Sequence, residues 1–310
     1  MANKGDWANV KQWGVVVVGL TTVAACGAAP AETEDDPSER PTVLTTFTVL
    51  ADMAEAVGGD AVHVESITRV GAEIHGYEPT PDDLVRGQDA DLILDNGLGL
   101  EAWFDQFTDR VDAPSVTVTD GIEEIPIASG DHEGEANPHT WMSVHNGHVY
   151  VDNIAAALID LAPQAESDIE ANAETYHEQL ETIATGLTER LEEIPEQHRA
   201  LVTCEGAFSY LARDVGLTEH YLWPVNAETE GTPQQIADVV EFVSDNNVPT
   251  VFCESTVNDS AQRQVAQETG AELGTELYVD SLSEPDGPVP TYLDMLEHNA
   301  EAIADGLEAQ

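Results

Sequence analysis

AESDIEANAETYHEQLETIATGLTERL, residues 165–191, is the stretch on which the fold turns. It holds no proline and one glycine, Gly186. Tyr176, Leu180, Ile183, Leu187 and Leu191 recur at steps of three and four, which sets them on one stripe of an α-helix. At 1.5 Å per residue the helix is about 40 Å long if unbroken. Such a helix either pairs with another as a coiled coil or packs on what lies at its ends. Pro195 closes it, and Pro163 separates it from an earlier helical pattern carrying Ile154, Leu158, Ile159 and Leu161.

On both sides of this helix, extended and helical patterns alternate. Before it, residues 42–50, 61–68, 90–95 and 115–119 read as apolar or β-branched strands. Helical patterns over 51–57, 80–88 and 100–107 separate them, and Thr80, Pro81 and Asp83 suit a helix start. After it, residues 199–203, 221–225, 250–254 and 277–280 read as extended. Helices are expected over 208–214, 232–246, 259–269 and 291–307. The alternation predicts an α/β fold with parallel strands and helices on the sheet faces. The two halves share this order without a sequence repeat of fixed period.

The 310 residues suffice for two domains of ordinary size, and 42% hydrophobic content suffices for substantial cores. Ten Lys and Arg stand against sixty Asp and Glu, a formal charge of −50. Nucleic acid is excluded as a partner on that balance, because phosphate binding needs clustered cations. The only lysines are Lys4 and Lys11. A carboxylate-dense surface with almost no lysine resembles a salt-adapted protein of a halophile, in which salt screens the self-repulsion. The acids are spread among apolar residues rather than gathered in blocks, so they do not mark disorder.

Residues 1–25 read as a signal peptide: a weakly positive start, then an apolar run over 13–25 too short to span a membrane. Val23-Ala24-Ala25-Cys26 resembles a lipobox, which makes Cys26 the expected lipidation site and the mature N-terminus. Residues 26–41, rich in Ala, Pro, Thr, Glu and Asp, read as a flexible tether. The expected product is a body held by a lipid anchor at the extracellular face of the cell membrane.

Four residues with metal-ligand chemistry fall at strand ends or in the loops that follow: His75, His139, Glu205 and Asp280. Loops beyond the carboxyl ends of parallel strands are where open α/β sheets bind ligands. Pro138 fixes its own φ and biases Asn137 away from helix, so His139 stands at a rigid loop end. Two neutral imidazoles and two carboxylates balance the charge of one divalent cation. The four come from separate loops, so spacing alone does not single them out.

The motifs around these residues carry a resemblance. They are 74–83 (Ile74-His75-Gly76-Tyr77-Glu78-Pro79 onward), Asn137-Pro138-His139-Thr140-Trp141-Met142 and Cys204-Glu205-Gly206-Ala207-Phe208. The acidic segment 226–233, Cys253-Glu254-Ser255-Thr256 and Asp280-Ser281-Leu282 follow. In order over residues 42–300, they resemble the metal-binding lipoproteins, cluster A-I substrate-binding proteins, that serve ABC transporters for manganese, zinc or iron. The resemblance implies an N-terminal α/β lobe over 42–163, a connecting helix over 164–195 and a C-terminal α/β lobe over 196–310. It implies one divalent metal ion as cargo, held by His75, His139, Glu205 and Asp280. It implies, as partners, a membrane permease with its cytoplasmic ATPase, and a monomeric binding protein rather than an enzyme.

Zinc-selective members place a third histidine where this chain has Glu205. A carboxylate there makes the donor set harder and favours manganese, with zinc second and ferrous iron also suited. The loop Asp131-His132-Glu133-Gly134-Glu135 stands where zinc-binding members carry a histidine-rich loop, and it reads as a solvated acidic loop. Cys204 and Cys253 are expected as two buried thiols, with a disulfide as the alternative should their strands be neighbours. His63, His145, His148, His177, His198, His220 and His298 read as surface or packing residues. A metal-dependent hydrolase would need a general base and an open coordination position, and no short signature such as His-Glu-x-x-His is present. A surface adhesin would need a protein-binding face that the charge pattern does not show.

Overall fold

In the computed structural model, which describes residues 40–130, 132–192, 194–195, 198–225 and 231–308, the first strand is shorter than its sequence suggests. Strand β1 is Thr42–Thr45, and helix α1, Thr48–Gly58, starts where the strand was expected to continue. Val49, Leu50, Met53, Ala54 and Val57 are all buried, at a spacing that only a helix places on one face. Helical periodicity across the next turn therefore overrides the local β propensity of the run. Strands β2 (His63–Ser66), β3 (Leu92–Asp95) and β4 (Ser115–Thr117) complete a parallel sheet in the order β2–β1–β3–β4. Helix α2, Pro81–Asp89, starts with the reciprocal cap between Thr80 and Asp83. Helix α3 is only Phe104–Thr108, because left-handed backbone at Gly97, Leu98 and Gly99 turns the preceding chain.

Helix α4, Val144–Leu161, is followed by one helical turn over Pro163–Ala165 and then by α5, Glu166–Glu192, the long helix of 27 residues. Its stripe of Ile169, Tyr176, Leu180, Leu187 and Leu191 is buried, and Ile183 is partly so. The stripe meets α1 and α4 of the first half and α9, Tyr292–Glu308, of the second. That settles the choice left open by periodicity: α5 packs within the chain as a spine shared by both halves.

The second half runs β5 (Ala200–Glu205), α6 (Ser209–Val215), β6 (Thr218–Trp223), α7 (Pro233–Asn246), β7 (Thr250–Val251), α8 (Ser260–Thr269) and β8 (Glu272–Leu273), ahead of α9. β5 pairs with β6 and β7 with β8, both parallel. A hydrogen bond from Phe252 N–H to Val202 O joins the pairs. The resulting order, β6–β5–β7–β8, repeats that of the first half, second strand, first, third, fourth. Two expectations need correction. Residues 250–254 give a strand of two residues only, and residues 277–280 form none. In the latter, Asn299 takes the ladder role by accepting from Tyr278 N–H and donating to its carbonyl, and Trp141 Nε1–H donates to Val279 O. One parallel bridge, Glu254 to Leu277, remains. The edge is taken instead by β8. Gly274 follows it, where a Cβ would lie 2.5 Å from the Phe252 ring.

Cys204 and Cys253 are joined in a disulfide, with Cα atoms 4.9 Å apart, where two thiols were the first expectation. The Phe252–Val202 bond makes their chain segments neighbours, which is the condition the alternative required. Both sulfurs sit in a second core between β5–β7 and helices α7 and α8. Among the described residues no helix is long and apolar enough to cross a membrane. Residues 1–25, Cys26, the tether to residue 39, Asp131 and residues 226–230 of the acidic segment lie outside the described residues.

Candidate metal centre

The first half supplies two imidazoles. His75 lies in the loop between β2 and α2, where the Glu73 carboxylate accepts from the backbone N–H of His75 at 2.6 Å and of Gly76 at 2.8 Å. Trp103 Nε1–H donates to Ile74 O, fixing the residue before it. His139 follows β4, just ahead of the turn Thr140–Met142 that leads into α4. Asn137 holds it. The Asn137 amide NH2 donates to Gly206 O at 2.6 Å, so its Oδ1 is left to accept. It accepts from His139 N–H at 3.1 Å, and Nδ1 of His139 stands 2.8 Å away. The imidazole proton is therefore on Nδ1, and the Nε2 lone pair faces the interior.

The second half supplies two carboxylates. Glu205 ends β5, and its own N–H donates to Glu254 Oε2 at 3.2 Å. Asp280 follows the single bridge at Leu277, and Thr256 Oγ1–H donates to its Oδ2 at 3.2 Å. The adjoining Ser281 accepts from Gly71 N–H of the first half at 2.6 Å.

One ligand atom from each of His75, His139, Glu205 and Asp280 lies within 4.8 Å of all the others. The two Nε2 atoms are 3.1 Å apart, and each is 3.4 Å from Glu205 Oε1. His139 Nε2 is 4.0 Å from Asp280 Oδ1. His139, Glu205 and Asp280 are fully buried, and the His75 side chain keeps an 8% exposure toward the surface. His75 also borders a cleft of about 430 Å³ lined by Tyr77, Pro79, Leu84, Trp103 and Phe107, which is the open side of the cluster.

Charge is concentrated here without a lysine or arginine among the four. Burial lowers the His75 pKa, but the hydrogen bond and charge of Glu205, with Asp280 and Glu73, outweigh it and raise it to about 9. Burial disfavours ionised Glu205, yet the two imidazoles hold its pKa well below the usual range. For Asp280, burial and then the Glu205 charge push the pKa up to about 6. Burial and then the Glu205 charge push the Glu254 pKa well above its usual range. The two Nε2 atoms, 3.1 Å apart, can share a proton or a metal ion between them.

All four residues singled out from the sequence thus meet at one point, and strand alternation sends Cys204 the other way. His132 does not join them; it pairs with Glu135 on the surface. The orienting roles of Asn137, Glu73 and Glu254 were not anticipated, although Asn137 and Glu254 stand within the quoted motifs. His220 stacks on Phe242 and His298 meets the Tyr278 ring edge, as expected of packing residues. His148 and His177 depart from that expectation by facing each other at 2.7 Å.

The family model described as zinc-uptake complex component A, periplasmic, matches residues 43–306. The iron-binding protein YfeA of Yersinia pestis is 46% identical over 291 residues, 94% of each chain. The manganese ABC transporter substrate-binding lipoprotein PsaA of Streptococcus anginosus is 31% identical over 94% of this chain and 97% of its own. The Mn-bound S38A mutant of a periplasmic metal binding protein from Candidatus Liberibacter asiaticus superposes with a TM-score of 0.82. It is 38% identical and covers 86% of this chain and all of its own. Fold, site chemistry and relatives agree that the chain belongs to the zinc-uptake component A family of metal-binding substrate-binding proteins of ABC transporters, with that family's two-lobe α/β fold.

Proposed function

We propose that this protein captures one divalent transition metal between its lobes with His75, His139, Glu205 and Asp280, and passes it to an ABC permease driven by a cytoplasmic ATPase. The observation that carries this is the convergence of four ligand atoms from four distant loops within 4.8 Å. Bonds of about 2.0–2.2 Å to one metal place neighbouring donor atoms roughly 3–3.5 Å apart. The 3.1 and 3.4 Å separations already meet that spacing. Asp280, at 4.0 Å, closes by roughly half an ångström to join. Two nitrogens with two carboxylates, either able to chelate through both oxygens, suit manganese first and ferrous iron with it. Zinc binds any such set tightly by the Irving–Williams order and is the close competitor.

A solute-binding role, not catalysis, fits ligands buried this fully. In this reading residues 1–25 are removed on export, Cys26 carries the lipid anchor, and the mature monomer works at the outer face of the membrane. The lobes are 42–163 and 196–310, and the helix between them spans 164–195. Competition titrations with manganese, zinc and ferrous iron, in high salt and under reducing conditions for iron, test the proposal. One tightly held equivalent is expected. A protein that takes up none of the three removes it, and zinc displaced only by a large manganese excess would reverse the order of cargo.

A further inference from the structure

We propose that His148 and His177 form a second, outer site for a borderline divalent cation of the zinc or copper(II) class. The pair lies on the paired helices α4 and α5. The two Nδ1 atoms are 2.7 Å apart, with ring centroids at 4.9 Å and ring planes 25° from parallel, so the rings meet edge to edge. Each far nitrogen is turned to a carboxylate from the opposite helix. His177 Nε2 meets Asp152 Oδ1 at 3.0 Å, and His148 Nε2 stands 3.8 Å from Glu181 Oε2. The arrangement is reciprocal. On α4 the acid follows its histidine by four residues, Asp152 after His148; on α5 Glu181 follows His177 likewise. Each acid serves the histidine of the other helix.

An imidazole that gives its Nε2 proton to a carboxylate keeps its lone pair on Nδ1. Here His177 keeps its Nδ1 lone pair facing His148 Nδ1 at 2.7 Å, a gap that a shared proton fills in the metal-free protein and that a metal ion can take over. The carboxylate–histidine–metal sequence is the arrangement that orients histidine ligands and raises their basicity. The helix pair is a packed contact, so the rings are held in place. Access is open: the two side chains are 28% and 24% exposed, beside a groove of about 770 Å³ that Glu178 and Glu189 also line. Metal–nitrogen bonds of about 2.0–2.1 Å require the nitrogens to part by roughly half an ångström. With two nitrogen donors and water completing the shell, zinc, copper or nickel are favoured over manganese, which prefers oxygen. Affinity is expected to be weaker than in a four-ligand cage.

The test counts metal equivalents on the full chain by equilibrium dialysis. Two equivalents of zinc and one of manganese are expected for the unaltered protein. His148→Ala and His177→Ala should each remove one zinc equivalent while manganese stays at one, which also reports that the protein is folded. Asp152→Asn with Glu181→Gln should weaken the outer zinc about tenfold or more. His139→Ala, which damages the cage, should leave the outer zinc in place. With copper(II), the electron paramagnetic resonance spectrum of that variant should show imidazole nitrogen couplings that His177→Ala reduces. A single zinc equivalent in the unaltered protein, meaning that the imidazoles share only a proton, overturns the proposal. So does a second equivalent indifferent to both histidine substitutions.

Discussion

The two lobes share a strand order but bring opposite chemistry to the cage. The first offers two imidazoles, the second two carboxylates. The imidazoles are preset: Asn137 fixes the tautomer of His139, Glu73 holds the His75 loop, and their nitrogens already stand at 3.1 Å. The carboxylates are less settled. Asp280 stands off at 4.0 Å and is pushed up to about 6 by burial and by Glu205. In the binding mode proposed above, the first lobe presents a rigid pair of nitrogens and the second supplies the charge that balances the cation.

Removing a preset ligand should therefore cost most. His139→Ala is expected to weaken manganese binding by more than about a hundredfold, exceeding the effect of Asp280→Ala, as read by competition titration. A greater loss from Asp280→Ala would break the comparison. Losing only the orienting group comes next. Asn137→Ala should cost about ten- to a hundredfold in affinity, with the His139 tautomer signal in 15N NMR shifting in the metal-free protein. If that signal stays put, Asn137 is not what sets the ring. Changing the chemistry of the second lobe should sharpen the contrast. Glu205→His gives a third imidazole and should move the zinc-to-manganese preference by about tenfold toward zinc, measured with the two metals in one dialysis.

The dependence on pH is graded, no more than about tenfold at each unit. His75, raised to about 9, holds a proton in the metal-free cage at pH 7, and a metal must displace it. Manganese affinity should therefore climb by about tenfold per pH unit from 7 toward 9 and then level off. Below about 6, protonation of Asp280 adds a second loss. Calorimetry in buffers of different ionisation enthalpy should find close to one proton released per manganese at pH 7. The sign for the metal-free protein is the reverse. A histidine whose folded pKa is raised contributes stability that is full below its unfolded value of about 6.5 and is lost as pH rises through about 9. Thermal melts without metal should thus lose stability over the range in which the metal gains affinity.

Much of this was legible beforehand. The stripe of Tyr176, Leu180, Leu187 and Leu191 predicted α5, and the helix start at Thr80 formed with its Asp83 partner. Local signals failed where a distant side chain took over the backbone. Residues 277–280 look like a strand, but Asn299 and Trp141 occupy the bonds a neighbouring strand would use. They failed again at Val49 and Leu50, whose β propensity gave way to the helical face they share with Met53 and Val57. The histidine pair was missed because its members sit on different helices, 29 positions apart, and neither has a local signature.

By itself the sequence determined which donors were available, where rigid loops would present them, and that one long helix would run through the middle. These follow from short-range physics: side-chain periodicity, the fixed φ of Pro138 and the caps. Only the tertiary structure decided that residues 75, 139, 205 and 280 meet, that His139 offers Nε2, and that Cys204 bonds to Cys253. It also decided that His148 faces His177. Those outcomes depend on how sheet order and helix packing bring together residues tens of positions apart. The distances so produced are not encoded in any one stretch of chain.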